Sequence, residues 1–262
     1  MRKDDMLKLT SRYYQAIPLD TPGYQFQSVE LDPVRTVLVV LHCWNIGCPE
    51  GPPIDVNYFV GMGSLESFRE ADRMMREAIR PSMDAARKAG VLVAHVEHEN
   101  IWRKHPSCVE DADPPADPNA YWPGEAVPGW RTHIANRSHG KDYATKSGYA
   151  MMDRAKIVEP LAGEPVVYQT NQLDRVLRRR TIENLIYTGF CTDMCILRAP
   201  GGIEPMAGFG YRFYLMRDAT VGCEFPDTIQ AKVATHGAIR YYETHYGDTV
   251  TSEEFIQACE KL

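Results

Sequence analysis

Thr36-Val37-Leu38-Val39-Val40-Leu41 is an almost wholly β-branched and aliphatic run. A strand wetted on one face alternates apolar with polar residues, so a short unbroken apolar run suits a strand covered on both faces, as in a parallel sheet. The run stops at His42-Cys43-Trp44-Asn45, and Gly47, Pro49, Gly51, Pro52 and Pro53 then mark a loop. Further on, Leu65, Phe68, Ala71, Met75, Ile79, Met83 and Ala86 recur at helical spacing within residues 64–89. Pro81 is expected to kink or restart that helix, and Gly90 to end it. Val91-Leu92-Val93-Ala94-His95-Val96-Glu97 reads as a second strand. The resulting β-α-β unit predicts a parallel pair joined by a right-handed crossover.

The rhythm resumes near the other end of the chain. Residues 165–169 and 181–188 read as strands with a short helix at 171–180 between them, and Gly189 stops the second. A strand at 211–216 ends in Arg217-Asp218, with Asp218 expected as a turn cap. An amphipathic helix at 226–242, a short strand near Thr249 and a helix from Ser252 to Glu260 close the chain. This alternation predicts a three-layer α/β/α, Rossmann-like domain with a mostly parallel sheet over residues 34–262. Residues 1–33 read as an N-terminal arm that packs on a partner or caps the domain edge. Residues 99–155 read as an irregular, lid-like insertion, rich in proline and carrying Trp102, Trp122 and Trp130.

Composition narrows the function. Lys+Arg 29 against Asp+Glu 35 leaves a net charge of −6, and no basic block offers a footprint for nucleic acid. No apolar run reaches the ~20 residues that cross a bilayer, and the charged start of the chain does not read as a secretory signal. The 7 cysteines, an odd number in a long chain, read as reduced thiols of a cytoplasmic protein rather than a disulfide framework.

Ligands of open parallel sheets bind beyond the carboxyl ends of the strands. His42, Cys43 and Asn45 stand at the first such end, Glu97, His98 and Glu99 at the second, and Tyr168 and Gln169 at the third. Gly189-Phe190-Cys191-Thr192-Asp193-Met194-Cys195 follows the fourth. Ile196-Leu197-Arg198 looks like the opening of a helix. Cys195 at its start is expected to have a thiol pKa lowered from about 8.5, with Thr192 and Asp193 as capping residues. The plainer alternative is a cysteine that fills the core. Cys43 and Cys48, too far apart for a redox pair, read as core or loop filling.

The pattern Gly189-x-x-Thr192-Asp193-x-Cys195, followed by Gly210-Tyr211, resembles the nucleophile segment of the isochorismatase-like cysteine hydrolases, the group of nicotinamidase and several small-amide and ureide hydrolases. The likeness takes in the first strand with Asn45, the segment Ala86-Arg87-Lys88-Ala89-Gly90-Val91 and the last helices, about residues 34–98 and 155–258. It implies a six-stranded parallel sheet between helices and a covalent intermediate on Cys195. It also implies an oxyanion hole from the backbone N–H groups of Cys191 and Cys195, a cis peptide at Phe190–Cys191, and a dimer or tetramer.

Two departures matter. The family's general base is an Asp at the end of the first strand, where this chain has His42; its Lys corresponds to Gln169 or Tyr168. Losing both charges together keeps the site neutral, whereas losing one strands a buried charge. The expectation is therefore a hydrolase of a small amide or other C–N substrate. Cys195 is its nucleophile, His42 the base, and Gln169 the orienting group. Trp44, which stands where the family commonly has Gln, is read with Glu97, His98, Tyr168 and Trp102 as substrate-binding. No cofactor and no metal are called for, since the Asp and His set of metal-holding relatives has no counterpart here. A non-catalytic binding protein on the same fold is the alternative, and a metal-bound hydrolase using His42, His98 or Cys195 as ligands is the weaker third.

Overall fold

A computed structural model of the chain describes residues 6–53, 55, 57–58, 63–105, 107–109, 111–114 and 125–262. Its eight strands are β1 (Leu7–Gln15), β2 (Gly23–Leu31), β3 (Thr36–Leu41), β4 (Leu92–Val96), β5 (Val166–Val167), β6 (Asn184–Phe190), β7 (Arg212–Val221) and β8 (Asp248–Val250). They form one sheet in the order β2-β1-β8-β7-β6-β3-β4-β5. The run from β8 to β5 is parallel throughout, as expected. Every residue of β3 is buried. Leu38 and Val40 join Met75, Ile79, Met83 and Phe255 on one face, while Val37, Val39 and Leu41 join Leu173, Leu177, Ile239 and Tyr242 on the other. Apolar residues on both sides of the pleat explain why this strand shows no alternation.

The helix expected over 64–89 is present in two parts. α1 (Leu65–Met74) starts at Ser64, whose hydroxyl accepts the Ser67 N–H, and α2 (Arg80–Lys88) carries Pro81 in its first turn. A π-helical turn, Met75–Ile79, joins them. Pro81 has no N–H to give the preceding turn, and a wider turn is the usual way a helix absorbs such a break. Chain direction then decides where ligands go. From β3 the chain moves outward to β4 and β5, then returns to lay β6 on the opposite side of β3. The carboxyl ends of β3 and β6 thus flank a topological switch point.

The N-terminal arm is a β-hairpin. β1 pairs β2 along its length and meets β8 antiparallel at Arg12 and Thr249, so it caps the edge of the sheet. Arg12 Nε donates to Glu243 Oε1 at 2.8 Å, and the Asp248 carboxylate accepts from Ser11 and Gln27.

Three expectations are corrected. β7 does not end at Met216 but runs to Val221; Asp218 lies within it, and its carboxylate accepts the backbone N–H and hydroxyl of Ser252. The helix expected from Pro226 is α9 (Val233–His245), because residues before it form turns and the Glu224 carboxylate takes the Thr235 N–H at its start. The insertion is not wholly irregular, since it holds α3 (Glu99–Trp102), α4 (Trp130–His139) and α5 (Tyr143–Lys146). α4 buries none of its residues, and Trp130 is 54% exposed, so that ring stacks on His133 rather than covering a cavity. Trp122 lies outside the described residues. No helix among the described residues is long and apolar enough to cross a membrane.

The last helix, α10 (Ser252–Glu260), opens with a capping box: the Thr251 hydroxyl accepts the Glu254 N–H, and the Glu254 carboxylate accepts the Thr251 N–H. Thr251→Ala should lower unfolding stability by ~1 kcal/mol, read as a shift of the urea midpoint at unchanged slope.

Candidate active site

Gly189 lies where β6 pairs with Leu41, the last residue of β3. Its φ is +121°, and a Cβ there would stand 1.9 Å from the Leu41 carbonyl oxygen. Only glycine permits that approach, and it brings the strand ends level, with Leu41 paired to Gly189. His42 follows on one strand; Phe190-Cys191 and the turn to Cys195 follow on the other. The Phe190–Cys191 peptide is cis, as the resemblance implied.

The turn is tied down from β7. Thr192 N–H donates to Val221 O at 3.1 Å, and the Thr192 and Thr220 hydroxyls share a bond of 2.7 Å. Asp193 does not cap the following helix. Its carboxylate accepts the Cys223 N–H at 2.8 Å, and the N-cap is Met194, without a side-chain cap. The Cys191 carbonyl accepts N–H groups from Met194 and Ile196. Cys195 opens α7 (Cys195–Arg198), a single turn of 4 residues, before Gly201 (φ +77°) and α8 (Ile203–Ala207). Pro200 and Gly201-Gly202 divide the helix as their chemistry demands. Arg198 is a surface residue, 3.7 Å from Glu204.

The electrostatics correct the expectation of a lowered Cys195 thiol pKa. Burial raises the Cys195 thiol pKa and the Asp193 carboxylate adds to the rise, against the pull of the Cys191 backbone; one helical turn is too short to reverse this. Burial also lowers His42 to about 3, helped by His98 and the Arg154 guanidinium. At neutral pH both groups are therefore uncharged, and no thiolate–imidazolium pair is preformed. The shift has a stability consequence. His42 stays unprotonated when folded but binds a proton below pH 6.5 when unfolded, so stability is intact above pH 6.5 and falls as pH drops toward about 3. Urea titrations should show a loss from this residue of ~1.4 kcal/mol per pH unit across that window, absent in His42→Asn.

Behind His42 lies a platform that the sequence did not announce. The His42 ring stacks on Trp44, with centroids 4.7 Å apart and planes 24° from parallel. Trp44 Nε1 donates to Glu97 Oε2 at 3.0 Å, and Arg154 forms a fully buried ion pair with Glu97. Trp44 and Arg154 also form a β-bridge, Asn45 exchanges two hydrogen bonds with the Asp153 backbone, and the Ala155 N–H donates to Cys43 O. Glu97, read from the sequence as a substrate contact, has its carboxylate turned onto Trp44 and Arg154. Arg154 was missed because it stands in the unpatterned segment Met151-Met152-Asp153-Arg154, far from any strand end along the chain.

The other candidates fall nearby in unequal ways. His98 caps α3, its Nδ1 accepting the Asn100 N–H, and lies close enough to bear on His42. The Gln169 side chain is held by the Asp113 backbone, accepting at 2.7 Å and donating at 3.0 Å, and it also donates to the Tyr168 hydroxyl. Tyr168 packs on the buried Trp102 at 4.6 Å. Gln169, the residue before α6 (Thr170–Arg179), is thus first an anchor for the 111–114 segment. Cys43 and Cys48 are buried fillers, and burial pushes Cys43 up to about 12. Among the described residues, no three His, Cys, Asp or Glu side chains are grouped to hold a metal.

Comparison with known proteins agrees with this architecture. Ureidoacrylate amidohydrolase RutB of Rhizobium rhizogenes is 28% identical over 236 residues, covering 87% of this chain and 85% of that protein. RutB of Agrobacterium fabrum is 27% identical over 236 residues, covering 87% and 92%. The crystal structure of a cysteine hydrolase from Pseudomonas syringae pv. phaseolicola superposes with a TM-score of 0.54 at 16% identity, covering 88% of this chain and 94% of that one. The isochorismatase domain model matches residues 55–252, continuously through the insertion. With the predicted sheet, the switch-point site and this match in agreement, the chain belongs to the isochorismatase family.

Proposed function

We propose that the protein hydrolyses a small amide or related C–N substrate of the ureido-acid kind that its amidohydrolase relatives are named for. Cys195 is the nucleophile, His42 the base, and the N–H groups of Cys191 and Cys195 the oxyanion hole. The observation that supports this reading is the Leu41–Gly189 pairing, in which the strand that His42 follows lies beside the strand that leads into the Cys191–Cys195 turn. As sulfur adds to the carbonyl carbon, its proton passes to His42 and the charge on oxygen is met by the two N–H groups. His42 returns the proton to the nitrogen as the C–N bond breaks, leaving a thioester. Water then adds with its proton going to His42, the C–S bond breaks, and the acid leaves with the thiol restored. Because both groups rest uncharged, proton transfer accompanies attack rather than preceding it. His98 and Tyr168, the latter held by Gln169, are the polar side chains assigned to the substrate.

Rapid quench with ureidoacrylate and a panel of small primary amides tests this. Mass spectrometry should find an acyl adduct on the peptide containing Cys195, and an adduct elsewhere, or turnover without one, overturns the assignment. The resting neutrality of the pair favours one second reading, a binding protein. It predicts saturable ligand heat in calorimetry with neither adduct nor turnover.

A further inference from the structure

We propose that Glu97, Arg154 and Trp44 form a positioning support for His42, in which the buried ion pair anchors the indole and the indole face sets the plane of the imidazole. The inference rests on His42 being the base of the proposed reaction.

A histidine base is ordinarily oriented by a hydrogen bond to its second ring nitrogen, often from a carboxylate. His42 lacks that device: its Nδ1 is buried with no hydrogen-bond partner among the described residues. Its backbone is also unusual, with φ +50°, a region that residues bearing a Cβ seldom enter. The main chain is held there by its N–H bond to Val96 O at 3.0 Å and by Trp44 N–H on its own carbonyl. What orients the ring is then the stack on Trp44. An indole is a useful guide only if it is itself fixed, and Trp44 is fixed at its Nε1 by Glu97. Glu97 is in turn held by Arg154, both side chains having no exposed surface. The carboxylate that would touch the histidine directly in a common triad thus acts here one ring removed. The charged and titratable groups that bear on His42 are His98 and Arg154.

The test compares two double variants that differ in one respect. Glu97→Gln/Arg154→Met removes both charges but keeps an oxygen for the indole N–H, whereas Glu97→Leu/Arg154→Met removes that oxygen too. On the panel amide that the unmodified enzyme turns over fastest, kcat of the Leu/Met pair should lie ~10-fold or more below that of the Gln/Met pair, with KM within ~3-fold. Trp44→Leu should lower kcat by ~10²-fold, and Trp44→Phe, which keeps a ring to stack on, by less. Labelled-histidine NMR supplies a readout that needs no turnover. The His42 Hε1 resonance, shifted by the indole ring current, should stay in place in the Gln/Met pair and move toward its random-coil position in the Leu/Met pair and in Trp44→Leu. Equal kcat and equal resonances in the two doubles would overturn the proposal. If no panel amide is turned over by the unmodified protein, the hydrolase reading fails, while the NMR comparison still decides the support.

Discussion

Cys195→Ala is expected to abolish amide turnover, by ~10³-fold or more in kcat, while the protein stays folded. The magnitude follows from what remains. On the proposed mechanism, the backbone N–H groups of residues 191 and 195 would still polarise a carbonyl without the sulfur, but nothing would add to its carbon. Cys195→Ser should be nearly as inactive, because the environment that raises a thiol pKa raises a hydroxyl's from a higher start. Stability should change little, since Cys195 is only partly buried and its removal opens no large cavity. Circular dichroism and kcat on the same preparations check both halves. The raised thiol also predicts that iodoacetamide alkylates Cys195 in the resting protein more slowly at neutral pH than a free cysteine, with the rate climbing as pH rises. A preformed thiolate would instead react fast at neutral pH.

Arg154→Met alone is expected to cost ~3–5 kcal/mol of stability, the range for removing one partner of a buried ion pair. Neither side chain of the pair has exposed surface, so the substitution leaves the Glu97 carboxylate without its counter-ion at the N–H edge of the Trp44 ring. Removing both charges, in Glu97→Leu/Arg154→Met, should recover most of that loss, since apolar groups of similar volume need no counter-ion. The ordering of the three urea midpoints is the measurement. A single variant as stable as the double would mean that water reaches the pair.

The pair also illustrates where the chain was legible. The β3 run, the helical period through α1 and α2 and the apolar stretch of β6 are local patterns, each fixed by which side chains must leave water, and a reader of residues recovers them and hence the layered parallel sheet. The strand-end turn that leads to Cys195 was equally visible, because Gly189 and the Thr192-Asp193 turn lie within a few residues of it. The N-terminal hairpin was less so. Its strands show at best partial alternation, and their place beside β8 depends on Arg12 reaching Glu243 and on Asp248 receiving Ser11 and Gln27, partners more than 200 positions away.

By itself, then, the order of residues determined the parallel part of the sheet, the switch point and the position of Cys195 beside it, since these follow from hydrophobic period and turn chemistry within short windows. Only the tertiary structure decided the state of the site. A pKa depends on burial and on which charges come near, so whether Cys195 and His42 rest ionised or neutral is set first by how deeply the fold buries them and then by Asp193, His98 and Arg154 in space. Arg154 reaches Glu97 because the end of a long insertion folds back against the loop after β3, where Trp44 and Arg154, 110 positions apart, form a bridge between segments whose side chains carry no periodic signal.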